Sequence, residues 1–217
     1  MRRNDRNDNR RRDAPKAPWT PKTDLGRRVA AGQVTSLDQI YSTGQKILEP
    51  EIIDALLPDL QEVVMDVSST QRMTSYGRKM QMRAVVIIGN KRGYIGLGQG
   101  KGAEVIDAIS EGIRDAKKHI MKVEFGYGSW EGGDANTMSV PRAVTGKAAS
   151  TQLTLKPSPP GVGIVAGETA KRVLELAGYK NVWTTSKGRT RNIKNMIAAT
   201  INALEQLTTL RNGKFKK

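Results

Sequence analysis

Four cations, Lys187, Arg189, Arg191 and Lys194, crowd the place where an apolar helical period begins, and between Glu175 and Glu205 the chain has no carboxylate. The period of Ile193, Met196, Ile197, Ile201 and Leu204 predicts a helix over about 192–207. Cations at the start of a helix oppose its dipole by about 0.3 to 1 kcal/mol each. An external anion removes that conflict, because first-turn amides and arginine forks together make a phosphate cradle. A solvated basic face is the alternative. A second group, Arg72, Arg78, Lys79 and Arg83, lies in a polar stretch with Lys91 and Arg92 on the turn expected to face it. Such a cation-bearing hairpin edge can follow a nucleic-acid backbone.

Three glycine-rich stretches invite nucleotide chemistry, and two fail on inspection. Gly161, Gly163 and Ala166 fit the dinucleotide spacing, but a proline-rich run at 156–160 replaces the buried strand that must precede it, and Asn181 stands where a ribose-binding acid belongs. Gly100-Lys101 and Gly146-Lys147 lack both the first glycine and the Ser/Thr of a P-loop. The run Gly96, Gly98, Gly100, Lys101, Gly102 reads as a strand-to-helix turn whose bare amides approach a phosphate, with Lys101 completing the contact. A tight turn needing positive φ explains its glycines equally well. His119 is the single histidine and follows Lys117 and Lys118 at a helix end, where capping or phosphate contact suits it better than catalysis. With no cysteine, thiol nucleophiles, disulfides and Cys/His metal sites are excluded. No cofactor is implied.

The elements that must hold these residues follow from pattern. Ser36 caps a short helix carrying Leu37, Ile40 and Tyr41; Pro50 opens a second, with Ile52, Ile53, Leu56 and Leu57, which Pro58 closes. Strands are predicted at 62–67 and 80–88, the second ending in a β-rich run that should be buried on both faces, with a polar loop at 68–79 between them. A hairpin turn at 89–93 leads to a strand at 94–98 and a helix at 103–120 whose inward face is Val105, Ile109, Ile113 and Ala116. The glycine-rich 125–136 stretch reads as a linker. Beyond it come strands at 138–144 and 151–155, a helix at 168–177 stopped by Gly178, a strand at 182–185 and the last helix.

Of 217 residues, 36 are Lys or Arg and 21 Asp or Glu, a net charge of +15 that calls for an anionic partner. Aromatic residues make up only 5%, which disfavours single-strand binding on aromatic platforms and favours structured RNA held by phosphate and shape. Residues 1–22 are strongly basic without apolar period and should be disordered alone, although Trp19, flanked by prolines, is costly to leave wet. The longest apolar run, 84–88, is far too short to cross a bilayer, and no apolar stretch follows the basic start, so neither a membrane partner nor secretion is expected. The cytoplasm is the expected compartment.

At 77–109 (GRKMQMRAVVIIGNKRGYIGLGQGKGAEVIDAI), 145–178 (TGKAASTQLTLKPSPPGVGIVAGETAKRVLELAG) and 184–204 (TTSKGRTRNIKNMIAATINAL) the chain resembles the fifth small-subunit ribosomal protein family. The stretch WTPKTDLGRRV at 19–29 is similar to its archaeal and eukaryotic branch. The resemblance implies an α+β fold: a double-stranded-RNA-binding-like α-β-β-β-α domain, then a β-α-β-α domain with a left-handed crossover. It divides the chain into a basic extension (1–48), the first domain (49–124), the linker (125–136), the second domain (137–210) and a basic tail (211–217). It further implies a non-enzymatic constituent of the small subunit near the decoding centre and messenger entry, supporting assembly and accuracy. In the family the segment matching 68–79 reaches small-subunit rRNA, and the second domain lies against small-subunit proteins four and eight. A free-standing RNA chaperone would share every basic patch.

Phosphate contacts should therefore dominate affinity. If six or more phosphates are neutralised, binding to an rRNA fragment should fall about a thousandfold or more between roughly 50 and 200 mM salt. A filter-binding titration that barely responds to salt would refute this.

Overall fold

The computed structural model describes residues 19–126 and 138–207. Three short helices, α1 (Asp24–Ala30), α2 (Leu37–Thr43) and α3 (Glu51–Leu56), precede an antiparallel sheet. Its strands are β1 (Gln61–Thr74), β2 (Gly77–Gly89), β3 (Tyr94–Gly102) and, after α4 (Val105–Lys118), β4 (Ile120–Lys122), in the order β1-β2-β3-β4. The second unit contains β5 (Val144–Ala148), β6 (Thr151–Pro157), β7 (Ile164–Val165), α5 (Glu168–Ala177), β8 (Val182–Lys187) and α6 (Ile193–Leu207). Its sheet order is β5-β6-β8-β7, with β7 parallel to β8 and joined to it through α5. The α+β architecture in two units is as expected, and β4 and β7 are short strands that sequence pattern does not reveal.

The run 84–88 organises the layers, since all five residues are at most 1% exposed. Ala84, Val86 and Ile88 point into a core shared with Ala108, Ala116 and the isoleucines of the N-terminal helices. Val85 and Ile87 point the other way, into a core with Leu174, Ile197 and Leu204 of the second unit. Sheet one is thus covered on one face by α4 and the small helices and on the other by α5 and α6, which in turn carry sheet two. A polar joint locks this stack. The 90–93 turn donates from Lys91 N to Leu176 O and from Gly93 N to Ala177 O, both 3.0 Å, satisfying carbonyls that the end of α5 leaves unpaired. Gly178 ends α5 in the left-handed region at φ 102°, as expected. Across the same joint the Tyr179 hydroxyl, pushed up by desolvation and then by Glu124, stays protonated and donates to Glu124 O at 2.8 Å. Its ring meets Phe125 edge-on at 5.1 Å.

Several expectations are corrected. The 68–79 stretch is no loop: β1 runs to Thr74 and β2 starts at Gly77, so a long two-stranded ribbon extends beyond the sheet. Its β-branched and hydroxyl residues pair as strands although neither face is buried. The glycines at 96, 98, 100 and 102 form no turn and none has positive φ. They lie in β3, all on the face under α4, where a methyl at Gly98 would strike the Gly112 carbonyl and one at Gly100 the Ala108 carbonyl. Small residues on both sides let backbone touch backbone, so these amides are beneath a helix and not open to a phosphate. The strand expected at 138–144 begins only at Val144, with Ser139 making a lone bridge to Gly126. Val105 and Ile193, assigned to inward faces, are 38% and 37% exposed; Ala108, Gly112 and Ala116 carry the buried face of α4 instead. Ser36 sits at its cap position without a side-chain hydrogen bond.

Residues 1–18, 127–137 and 208–217 lie outside the described residues, and with them most of the basic segment, the linker and the tail. Trp19 does have a partner, and it is internal: its Nε1 donates to Glu49 Oε2 at 2.9 Å while the backbone amides of Lys22 and Thr23 donate to Oε1. Desolvation alone would raise the Glu49 carboxyl, but hydrogen bonds from Thr23, Trp19 and Lys22 outweigh it and hold it below the usual glutamate value. On the sheet side, Lys122 Nζ grips both oxygens of Asp38 at 2.8 Å, and the Tyr41 hydroxyl donates to Ile120 O at 2.9 Å. These bonds fasten α2 to β4.

Close backbone approach makes a measurable demand. Gly100→Ala should cost about 3 kcal/mol or more, since α4 must move outward. Gly167→Ala, where a methyl meets nothing within 4 Å, should stay within about 1 kcal/mol in urea unfolding. Equal costs would refute the packing account.

Candidate nucleic-acid interface

Register decides which cations act together. Along β1 and β2 the pairs are Thr70↔Gln81 and Arg72↔Lys79, and Ser68↔Arg83 continues to Lys101 on β3. Directly paired residues share a face. Arg72, Lys79, Arg83 and Lys101 therefore lie on one face of sheet one, continuing outward the side that carries Val85 and Ile87 against the second unit. A β-bulge at Met65 makes this so: Val64 pairs with Val86 but Asp66 pairs with Val85. Were Met65 paired in regular register instead of bulged out, Arg72 would oppose Arg78 and point the other way. Arg78 belongs to the opposite face, alongside the exposed Met73 and Met80. Tyr76, at the tip of the ribbon, is 99% exposed.

Within that row Arg83 Nη2 donates to Ser68 Oγ at 2.9 Å, while its Nε is buried without a hydrogen-bond partner. Like charges face each other at Arg83 and Lys101. Such a pair destabilises a sheet unless an anion lies over it. None of the four cations forms an ion pair with another described residue. Structural cations look different. Lys117 is buried on α4 between Asp54 at 2.6 Å and Glu62 at 3.7 Å.

Lys91 and Arg92 do not face the ribbon cations. They occupy the turn at the other end of β2, about 40 Å from Lys79 at roughly 3.3 Å per residue. Their amides serve the joint with α5 and the Asn90 side chain, and Arg92 reaches Asp59 at 3.7 Å. The expected single cluster is two. His119 stands at the C-cap of α4, its Nδ1 2.9 Å from Asp115 O and 3.2 Å from the Asp115 carboxylate.

The cations around α6 stand where β8 ends and the helix begins. Lys187 ends β8, Gly188 turns the chain at φ 86° against the Ser150 carbonyl, and Thr151 Oγ1 donates to Arg189 O at 2.9 Å. The backbone is therefore fixed while the side chains of Lys187, Arg189 and Arg191 remain exposed and Lys194 is half-buried. Asn192 accepts from Asn195 N at 3.4 Å, so the helix start is capped by a neutral side chain and its first turn holds no acid. At the remaining glycine motif, Gly161 and Gly163 take positive φ in an open turn and Asn181 Oδ1 accepts from Gly163 N at 3.0 Å. That asparagine is a loop tether.

Two stacked sheet units that present cations without ion-pair partners among the described residues offer a surface suited to a phosphate backbone. Residues 60–124 match the family model of the ribosomal protein S5 N-terminal domain and residues 146–215 that of the ribosomal protein S5 C-terminal domain. The small ribosomal subunit protein uS5 of Methanoregula boonei is 50% identical over 92% of this chain and 97% of its own length. That of Methanospirillum hungatei is 50% identical over 91% and 97%, and that of Methanocaldococcus jannaschii 50% over 89% of each. The chain belongs to the ribosomal protein S5 family, whose members are structural proteins of the ribosome and not enzymes.

Affinity and stability should separate at α6. Arg189→Glu with Arg191→Glu should leave melting unchanged or slightly raised, because acids suit a helix start, while rRNA affinity drops. Ile197→Ala, fully buried in the core, should cost about 2 to 5 kcal/mol instead. A folded double mutant with undiminished rRNA affinity would show that these cations face only solvent or protein.

Proposed function

We propose that this chain is a structural constituent of the small ribosomal subunit in the cytoplasm, binding rRNA through the cation rows of both units. The observation that carries the reading is the pair of family matches in order along the chain, together with relatives named as small ribosomal subunit proteins. The unpaired rows support it from physics, since their mutual repulsion is relieved by phosphate. We assign the contacts to Arg72, Arg78, Lys79, Arg83 and Lys101 on the ribbon unit and to Lys187, Arg189, Arg191 and Lys194 at α6; Lys91 and Arg92 form a separate contact beside the joint. We divide the chain into the basic extension (1–48), first domain (49–124), linker (125–136), second domain (137–210) and tail (211–217); the first family match ends at residue 124, as this division does, while the second starts beyond the linker at 146 and runs on to 215.

The finer placement is part of the same proposal: a site near the decoding centre and messenger entry, with small-subunit proteins four and eight as protein neighbours. A ribbon that leaves the sheet with both faces exposed suits insertion between rRNA helices. Sedimentation tests the whole. In a gradient of native lysate the protein should travel with the small subunit, and cross-linking there should join it to rRNA and to those two proteins. A chain that stays at the top of the gradient is a free RNA chaperone, and the reading fails.

A further inference from the structure

Apart from Lys187 at its edge, the outer face of sheet two is used by nothing described above. Alternation along its strands sends Gly146, Leu153, Leu155 and Val182 inward, and the residues between them outward. Register stacks the outward residues into rows. Trp183 lies between Val165 and Lys156 at one end, and Lys187 and Lys147 flank Gln152 at the other. Threonines fill the middle, where the hydroxyls of Thr145 and Thr154 meet at 3.0 Å. Trp183 is 43% exposed and Val165 51%. No carboxylate stands in any row, and the lysine end runs directly into the loop of Arg189 and Arg191.

These features specify one partner. Three lysines without an acid repel a basic surface and ask for an anion. A flat indole left partly in water asks for another flat ring. Duplex RNA meets only the first demand, since its bases are stacked inside, whereas unpaired RNA meets both with phosphates and exposed base faces. We propose that the outer face of sheet two binds an unpaired segment of RNA, with one base stacked on Trp183 and the backbone led over the threonines to Lys147 and Lys187. At about 3.3 Å per residue the stacking and charged ends are about 13 Å apart. The inference rests on the rRNA-binding reading and adds to it a single-strand site built on one indole, not on the series of aromatics that a 5% content disfavours.

The test uses the full-length chain, an oligouridine of about ten nucleotides and a duplex RNA of equal length. Oligouridine should quench tryptophan emission, and Trp183→Ala should weaken its binding about 5- to 150-fold while leaving duplex binding unchanged. Trp183→Phe should keep most of the affinity and lose the quench. Oligouridine binding unaffected by Trp183→Ala overturns the proposal. In assembled small subunits, a photoreactive benzoylphenylalanine at position 183 should cross-link to rRNA; a cross-link to a ribosomal protein overturns it. The underlying reading fails separately, through a wild-type chain that binds neither RNA or stays out of small subunits.

Discussion

Burial of both faces of β2 is the constraint on which the rest depends. Successive residues from Ala84 to Ile88 belong to alternate cores, so one face of sheet one completes the core of the second unit and the two units cannot be treated as beads on a string. Each core is completed only when the other is. The polar joint follows from the same arrangement: α5 ends against the 90–93 turn with its last residues buried, and the amides of Lys91 and Gly93 supply the partners that the carbonyls of Leu176 and Ala177 need.

Glycine is used twice to bring helix and sheet into backbone contact. Gly98 and Gly100 of β3 meet Ala108, Gly112 and Ala116 of α4, and Gly146 of β5 meets Ala199 and Ala203 of α6. In both cases a missing Cβ on the strand faces a small residue on the helix, and main-chain atoms lie where side chains normally keep helix and sheet apart. The alternating glycines of 96–102 are thus demanded by packing. The result is four layers, helix, sheet, helix, sheet, in which strand register sets the exposed cations of the sheet in rows.

The electrostatics divide by burial. Cations that hold the fold, such as Lys117 between Asp54 and Glu62 or Lys122 on Asp38, have carboxylates beside them. Those on the open sheet face and around the start of α6 have like charges or exposed space instead. Concentrating repulsion there raises the free energy of the unbound protein locally, and a phosphate backbone lowers it again with release of counterions.

Much was legible in the sequence alone. Helical periods placed α4, α5 and α6 to within a few residues, Gly178 marked a helix end through its conformational freedom, and net charge excluded most partners other than an anion. The run at 84–88 announced a doubly buried strand because no polar residue interrupts it. Tertiary structure decided the rest. Which cations share a face depends on strand parity, and the bulging of Met65 out of the ladder sets Arg72 on the side of Arg83 and Lys101. Whether a glycine opens toward phosphate or closes against a helix depends on what packs over it. Trp183, Lys147 and Lys156 carried no local signal, for their common face exists only through the pairing of β5, β6 and β8. Local pattern encodes the elements because hydrogen bonds and periodicity act between near neighbours. The surface is set by pairings between residues far apart in the chain, and no local pattern contains those.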